Sequence, residues 1–509
     1  MSITSFYFWC FLIAVGFIYY LTPSKIKWCV LLVASIFFFV MACGWNMLAY
    51  LFFGVLTAFI GAKLIDGSKH PKRRKFYLIV TLVLMIGELA ALKYVRFFLN
   101  TAGIISGLFG NRLEFSFTGF LAPLGISYYT LSLVGYVLDV YWEKYPHQRN
   151  VFKQLLFACY FPQLTSGPIT RYDEMEKQLF TPHAFCPKEI YFGIQRILWG
   201  LFKKLVIADR AAILVTAVFG DYMTYGGYYI VVAVLLFALQ LYTDFSGCMD
   251  IIMGASQCLG VGLPENFNTP FFSETVAEFW RRWHITMGAW FKDYLLYPIL
   301  ISKRMQRIGK FCRKHFGKKT GKNIVTYLGL MVIWLAIGIW HGGEYKYIFA
   351  SGILPGFFLI TGEMFNPFFQ RCSRLLRINT EATSWHIFRM FRTFLCLCAS
   401  WIFVRASSFL DGIQVVKQMF SVSNPWVLVD GKLLELGLNW QDFNILFIGI
   451  LAIWGAGMLH RHGKHVREML AKQNAAAQWI VMLGALFVII IYGICGPQYD
   501  ATGFIYKNF

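Results

Sequence analysis

Charge is scarce in this sequence. Only 14% of its 509 residues are Asp, Glu, Lys or Arg, against about a quarter in a soluble globular chain. Hydrocarbon takes its place: 58% of the residues are hydrophobic and 18% aromatic. This excludes a water-soluble enzyme and leaves an all-α polytopic membrane protein, for which counting domains by length is the wrong measure. Acidic residues are scarcer still, 26 against 47 Lys and Arg, a net +21. The basic residues cluster in short loops between apolar runs, which is the positive-inside pattern of membrane proteins, so no nucleic-acid partner is expected. A cysteine framework is also missing. The twelve cysteines are scattered, most of them in apolar runs (Cys10, Cys29, Cys43, Cys159 and Cys258 among them). Cys396 and Cys398 are too close for a metal finger, and no CxxC pair exists. No zinc site, disulfide set or metal is expected, and the thiols read as buried. No charged n-region precedes a cleavage site, so residues 3–21 read as a retained first span. There is no sequence repeat, low-complexity tract or soluble domain.

What is present is a series of apolar runs of about 20 residues, the length a crossing needs. They fall at 3–21, 26–43, 45–65 and 77–98, then at 228–260, 324–340, 347–364, 388–405, 443–459 and 478–495. The loops holding Lys69, Lys72, Arg73, Arg74 and Lys75, the nine Lys and Arg of 302–323, Arg371, Arg374 and Arg377, and the basic run 460–472 all fall on one side. By the positive-inside rule that side is cytoplasmic. Both termini and the loop 406–442 are then extracytoplasmic, with about 10–12 crossings in all. A Gly-rich stretch at 101–119 leads into Pro123 and Gly125, and 152–170 holds Pro162, Gln163, Gly167 and Pro168. Both read as re-entrant segments, tolerated at membrane depth only when packed in protein. Residues 190–219 are apolar but carry Lys203, Lys204, Asp209 and Arg210. Asp244 also stands in an apolar run, where an ionisable group is by default functional or part of a network.

The stretch 276–294 is basic and aromatic. It reads Glu278-Phe279-Trp280-Arg281-Arg282-Trp283-His284-Ile285-Thr286, then Trp290-Phe291-Lys292-Asp293-Tyr294. Trp280, His284, Met287 and Phe291 recur at helical spacing, which predicts one continuous aromatic helix face bearing His284. One span further on, an apolar run ends in Trp340-His341-Gly342-Gly343. A lone histidine at a span end is more often interfacial than catalytic, and a histidine on an aromatic face is more often a satisfied core residue. The tryptophans read first as packing and interface anchors, and Asp244 with Ser246 as a buried hydrogen-bond network.

Four stretches change that balance: Phe161-Pro162-Gln163-Leu164 with Gly167-Pro168; Asp244-Phe245-Ser246-Gly247; Pro264-Glu265-Asn266-Phe267-Asn268 through the 279–294 motif; and Trp340-His341-Gly342. In order and spacing they resemble the membrane-bound O-acyltransferase family, in particular its bacterial branch typified by alginate O-acetylation. The resemblance covers about 121–343. It implies one integral-membrane domain over 1–509: N-terminal helices (1–98), a catalytic core (121–364), and C-terminal helices with an external tail (388–509). It also implies a ring of helices with re-entrant segments around a central tunnel, in the bacterial cytoplasmic membrane. His341 matches the family's invariant histidine and His284 a second functional one. The terminal Phe504-Ile505-Tyr506-Lys507-Asn508-Phe509 is similar to the acetylating branch's aromatic hexamer, whose tyrosine is implicated as an acyl carrier; here Lys507-Asn508 replaces its Phe-Gln. After Tyr294 the chain has Leu295-Leu296-Tyr297-Pro298 and a basic loop instead of a short Gly-Gly-Asn loop, a departure shared with the family's teichoic-acid D-alanyl transferases.

The expected activity is acyl transfer, acetyl first and D-alanyl second, from a cytoplasmic thioester to a cell-envelope polysaccharide hydroxyl. The expected catalytic residues are His341, His284 and Tyr506. The expected substrate and donor contacts are Trp280, Arg281, Arg282, Trp283, Asn266, Asn268, Asp293, Trp340, Gln163 and Asp244, with Asn266 and Asn268 also bracing a turn. Arginine suits donor phosphates, although Glu278, Asp293 or lipid headgroups would serve as partners equally well. No tightly bound cofactor is expected; acetyl-CoA or an acyl carrier is a substrate. The implied partners are membrane lipids, an esterase-like acyltransferase outside and an acyl carrier protein within. A flippase for a lipid-linked sugar would also explain broken helices, but no inverted repeat supports it.

Overall fold

The structure, a computed structural model, describes residues 1–110 and 122–494. Among these residues there is no strand, only an isolated bridge between Phe267 and Trp283. Among the described residues, nine helices are long and apolar enough to cross a membrane.

The chain forms two compact units. The first holds residues 1–200 and 248–264. Its helices are α1 (Phe6–Leu21), α2 (Ser24–Cys43), α3 (Trp45–Gly67) and α4 (Pro71–Leu108), then α5 (Ile126–Tyr141) and α6 (Val151–Cys159). Helix α4 begins earlier than the apolar run. Pro71 sits at its start, where its missing N–H costs nothing, and Lys72 to Lys75 make its first turn. Helix α5 starts after Gly125, and the chain bends after α6 at Tyr160 into a short turn, Phe161–Leu164, with Pro162 near its start. Residues 154 to 164 are all buried, as broken backbone at membrane depth requires.

Helix α7 (187–220) passes from the first unit into the second, as α8 (Tyr228–Cys258) passes back. The second unit continues through α9 (Val276–Arg282), α10 (Ile285–Phe291), α11 (Lys303–Phe316), α12 (Lys318–Gly342), α13 (Tyr345–Met364), α14 (Asn366–Leu375), α15 (Thr383–Arg405), α16 (Phe409–Ser421), α17 (Trp440–Arg461) and α18 (Ala475–Tyr492). The basic segment 302–323 is not an open loop. Lys303 to Phe316 form a helix that Gly317, at φ +81°, folds back onto α12, with Gly321 of α12 close against the Arg313 backbone.

The helical face expected through Trp280, His284, Met287 and Phe291 is broken. Helix α9 stops at Arg282, Trp283 is extended, His284 is left-handed at φ +47°, and α10 restarts at Ile285. The cause lies in the preceding segment. The Asn268 N–H donates to the Arg282 carbonyl (2.9 Å), and the Ile285 N–H donates to the Asn266 carbonyl (3.1 Å). Tertiary partners thus satisfy the backbone groups that an intact helix would have paired internally.

Candidate active site

The break in the 276–294 segment is what places His284. Its ring is fully buried, and its Nδ1 lies 3.2 Å from Asn266 Oδ1. That oxygen also accepts from the Thr286 amide (3.1 Å) and the Thr286 hydroxyl (2.9 Å). It acts as an acceptor throughout, so the proton of a neutral His284 belongs on Nδ1 and the lone pair on Nε2. Phe245 stands edge-on to the imidazole at 4.9 Å between ring centres. His284 lies outside the nine membrane-spanning helices. Burial, and secondarily the neighbouring His341, hold it well below the ordinary imidazole range; both favour the uncharged form.

His341 is delivered by the last turn of α12, which ends at Gly343 in a left-handed cap. Helices α12 and α13 approach so closely that a Cβ on Gly338 would stand 3.0 Å from the Gly352 and Ile348 Cα atoms. Such small-residue contacts let membrane helices pack backbone to backbone. His341 is 5% exposed. Trp340 connects the two histidines, its ring 5.1 Å from His341 and 6.2 Å from His284, with Phe291 of α10 at 6.3 Å. Two buried imidazoles around one indole can take a proton from a hydroxyl and hold an acyl carbonyl in a dry site, where such interactions are strongest.

The other expected site residues separate by role. Trp283 is packed: it stacks on Phe279 (5.3 Å) and meets Phe267 edge-on (5.0 Å), with Trp401 at 5.9 Å. Trp280 lies against Trp334 at 4.9 Å, and its Nε1–H has no hydrogen-bond acceptor among the described residues. Arg282 is committed to Glu278 (2.7 Å) and the Thr269 hydroxyl. Arg281 is exposed and lines a cavity on another side of α9. Asn266 and Asn268 brace the break. Asp293 is half-buried in the π-helical turn Lys292–Leu296. Gln163 lies in the first unit, bonded to the Phe157 carbonyl and the Thr170 hydroxyl. Tyr506 falls outside the described residues.

Asp244 belongs to a buried ion cluster. Lys204 bridges Asp244 (2.6 Å) and Asp209 (2.8 Å), and Lys203 donates to Ser246 (3.0 Å). Lys204 and Asp209 are five apart and would not meet on an α-helix. They meet because 202–208 is a π-helical turn. The signal was in the sequence as four ionisable residues within an apolar run; their pairing was not. Among the described residues no three His, Cys, Asp or Glu side chains gather as metal ligands.

Residues 144–408 match the model of the membrane-bound O-acyltransferase family. The chain is 28% identical to a probable alginate O-acetylase of Pseudomonas aeruginosa, over 90% of this chain and 82% of that one. It is 26% identical to a peptidoglycan O-acetyltransferase of Helicobacter pylori, over 77% and 73%. With a teichoic acid D-alanyltransferase of Bacillus subtilis it shares 28% identity over 44% of this chain and 55% of that one.

Proposed function

Because the chain belongs to the membrane-bound O-acyltransferase family, we propose that it moves an acetyl group from a cytoplasmic thioester to a hydroxyl of an extracytoplasmic polysaccharide, in a bacterial cytoplasmic membrane. That it is a membrane O-acyltransferase follows from the family and its relatives. The observation that carries the mechanism is the pair of buried histidines around Trp340, both inside the matched segment. His341 takes the acceptor's hydroxyl proton. The oxygen adds to the thioester carbonyl, a C–O bond forms, the C–S bond breaks, and the departing thiolate receives the proton. His284, kept neutral, presents Nε2 beside this centre and orients the acceptor. The first acceptor is the Tyr506 phenol, a poor nucleophile until a base activates it; its ester is then passed to the polysaccharide by an esterase-like partner outside.

His341→Ala is the direct test. With protein level and melting temperature retained, acyl transfer to the envelope polymer should fall by about 10²–10⁴-fold; undiminished transfer overturns the mechanism. For the relay, intact-mass measurement with labelled donor should find the acyl group on Tyr506, and full activity of Tyr506→Phe would remove that step. A second reading, D-alanyl transfer from a carrier protein, is favoured by the similarity to a teichoic acid D-alanyltransferase and by Leu295-Leu296-Tyr297-Pro298 after Tyr294. Purified protein supplied separately with acetyl-CoA and with a D-alanyl-loaded carrier distinguishes the two by which thioester it consumes.

A further inference from the structure

A cavity of about 1090 Å³ opens in the second unit between α9, α13, α14 and α15. It lies just above the roughly 300–1,000 Å³ usual for ligand sites. Its apolar wall includes Phe358, Phe365 and Trp385, and its polar wall Arg281, Arg392 and Thr393. Arg281, Arg374, Arg389 and Arg392 line it against the carboxylates of Glu363 and Glu381, so its positive charge is only partly neutralised. Glu274 pairs with His386 (2.8 Å) and Arg389 (2.7 Å). Arg392 gives one N–H to the Glu274 carbonyl (2.9 Å), which leaves it further donors. Arg281 has no ion pair among the described residues. Thr393 adds an independent sign of a ligand. It is 2% exposed, it lines the cavity, and its hydroxyl has no hydrogen-bond partner among the described residues. A buried hydroxyl normally finds a partner, and a helical threonine has the carbonyl four residues back at hand.

We propose that this cavity is a binding site for an anionic phospholipid, its phosphate taken by Arg392, Arg281 and the Thr393 hydroxyl and its acyl chains by the Phe358 and Phe365 wall. Two features single out a lipid among phosphate-bearing ligands. The helices that form the cavity turn bare aromatic faces outward, through Phe357 on α13, Phe368 on α14 and Phe388 and Phe391 on α15. Faces of this kind meet hydrocarbon in a membrane protein. Neither His284 nor His341 lines the cavity, which sets it apart from the proposed acyl-transfer site. Arginine recognises phosphate by paired N–H groups, and basic pockets between membrane helices suit lipid headgroups.

The test uses the full-length protein purified in detergent and titrated with phosphatidylglycerol, with phosphatidylcholine and acetyl-CoA as separate arms. Binding is counted by native mass spectrometry. Phosphatidylglycerol should be retained in preference to phosphatidylcholine. Arg392→Gln should weaken it about tenfold, the loss of one charged hydrogen bond. The near-isosteric Thr393→Val, which keeps the packing, should weaken it several-fold. Equal retention of both lipids, unchanged affinity in both variants, or displacement of the lipid by acetyl-CoA overturns the proposal, and the last outcome reassigns the cavity to the thioester donor. None of these readouts depends on acyl transfer.

Discussion

Asn266 decides what His284 can be. Its side-chain oxygen accepts from the Thr286 amide and hydroxyl and faces His284 Nδ1, and all three residues are buried. Replacing it with leucine strands those donors at about 1–3 kcal/mol each, so Asn266→Leu should lower both the melting temperature and transfer. Asn266→Asp separates the two effects. It keeps an acceptor but sets a carboxylate against the ring, which favours imidazolium. The His284 pKa then rises, and the acid limb of the activity profile should move to higher pH. The wild type has a matching signature in stability. With its pKa held below 6.5 in the folded state, His284 binds fewer protons folded than unfolded in the window beneath that value. Stability therefore rises with pH through the window and falls on acidification. Melting curves across the range should show that slope reduced in Asn266→Asp; an unchanged slope would mean His284 is not the group responsible.

At the scale of elements, breaks in regular helix do the positioning. The π-helical turn of α7 brings Lys204 and Asp209 together and puts Lys204 against Asp244. Lys204→Met removes the cation that Asp209 and Asp244 share and should cost about 3–5 kcal/mol. Adding Asp209→Asn and Asp244→Asn should recover most of that loss, since an uncharged cluster lacks the desolvation penalty. Thermal melting of the single and triple variants checks this, and a triple variant no better than the single one would assign the cluster a role beyond charge balance. The approach of α12 to α13 is a second device. Gly338 is one turn before His341, and a methyl there meets backbone atoms. Gly338→Ala should cost about 1–3 kcal/mol and reduce turnover more than donor binding. Much of this scale was legible in the sequence: the apolar runs located most spans to within a few residues, the run at 77–98 being the exception because its helix extends over 71–108. The break at Trp283-His284 was not, because it depends on hydrogen bonds to Asn266 and Asn268, which no periodicity within 276–294 records. The Lys204 pairing was hidden for a similar reason, since residues five apart meet only when a helix widens.

For the whole molecule, orientation follows from where the cations lie. Lys72 to Lys75 begin α4, six Lys and Arg of α11 and three more at the start of α12 form a basic hairpin, and Arg371 and Arg374 lie on α14. Each such cluster costs free energy to carry across a membrane during insertion, so the positive-inside rule predicts a cytoplasmic side for each of them. The segment 406–439 between α15 and α17 carries Asp411, Asp430 and Glu435 against Lys417 and Lys432 and has no such anchor. The proposed function requires this orientation, with a thioester made inside the cell reaching His341 and the acceptor waiting outside. In a background with the native cysteines replaced by serine, Lys314→Cys and Asp430→Cys place single thiols at exposed positions of α11 and of 406–439. A membrane-impermeant maleimide added to intact cells should label Asp430→Cys at once and Lys314→Cys only after permeabilisation. The reverse pattern would put the thioester and the basic hairpin on opposite sides of the membrane, and acyl transfer would then have to run inward.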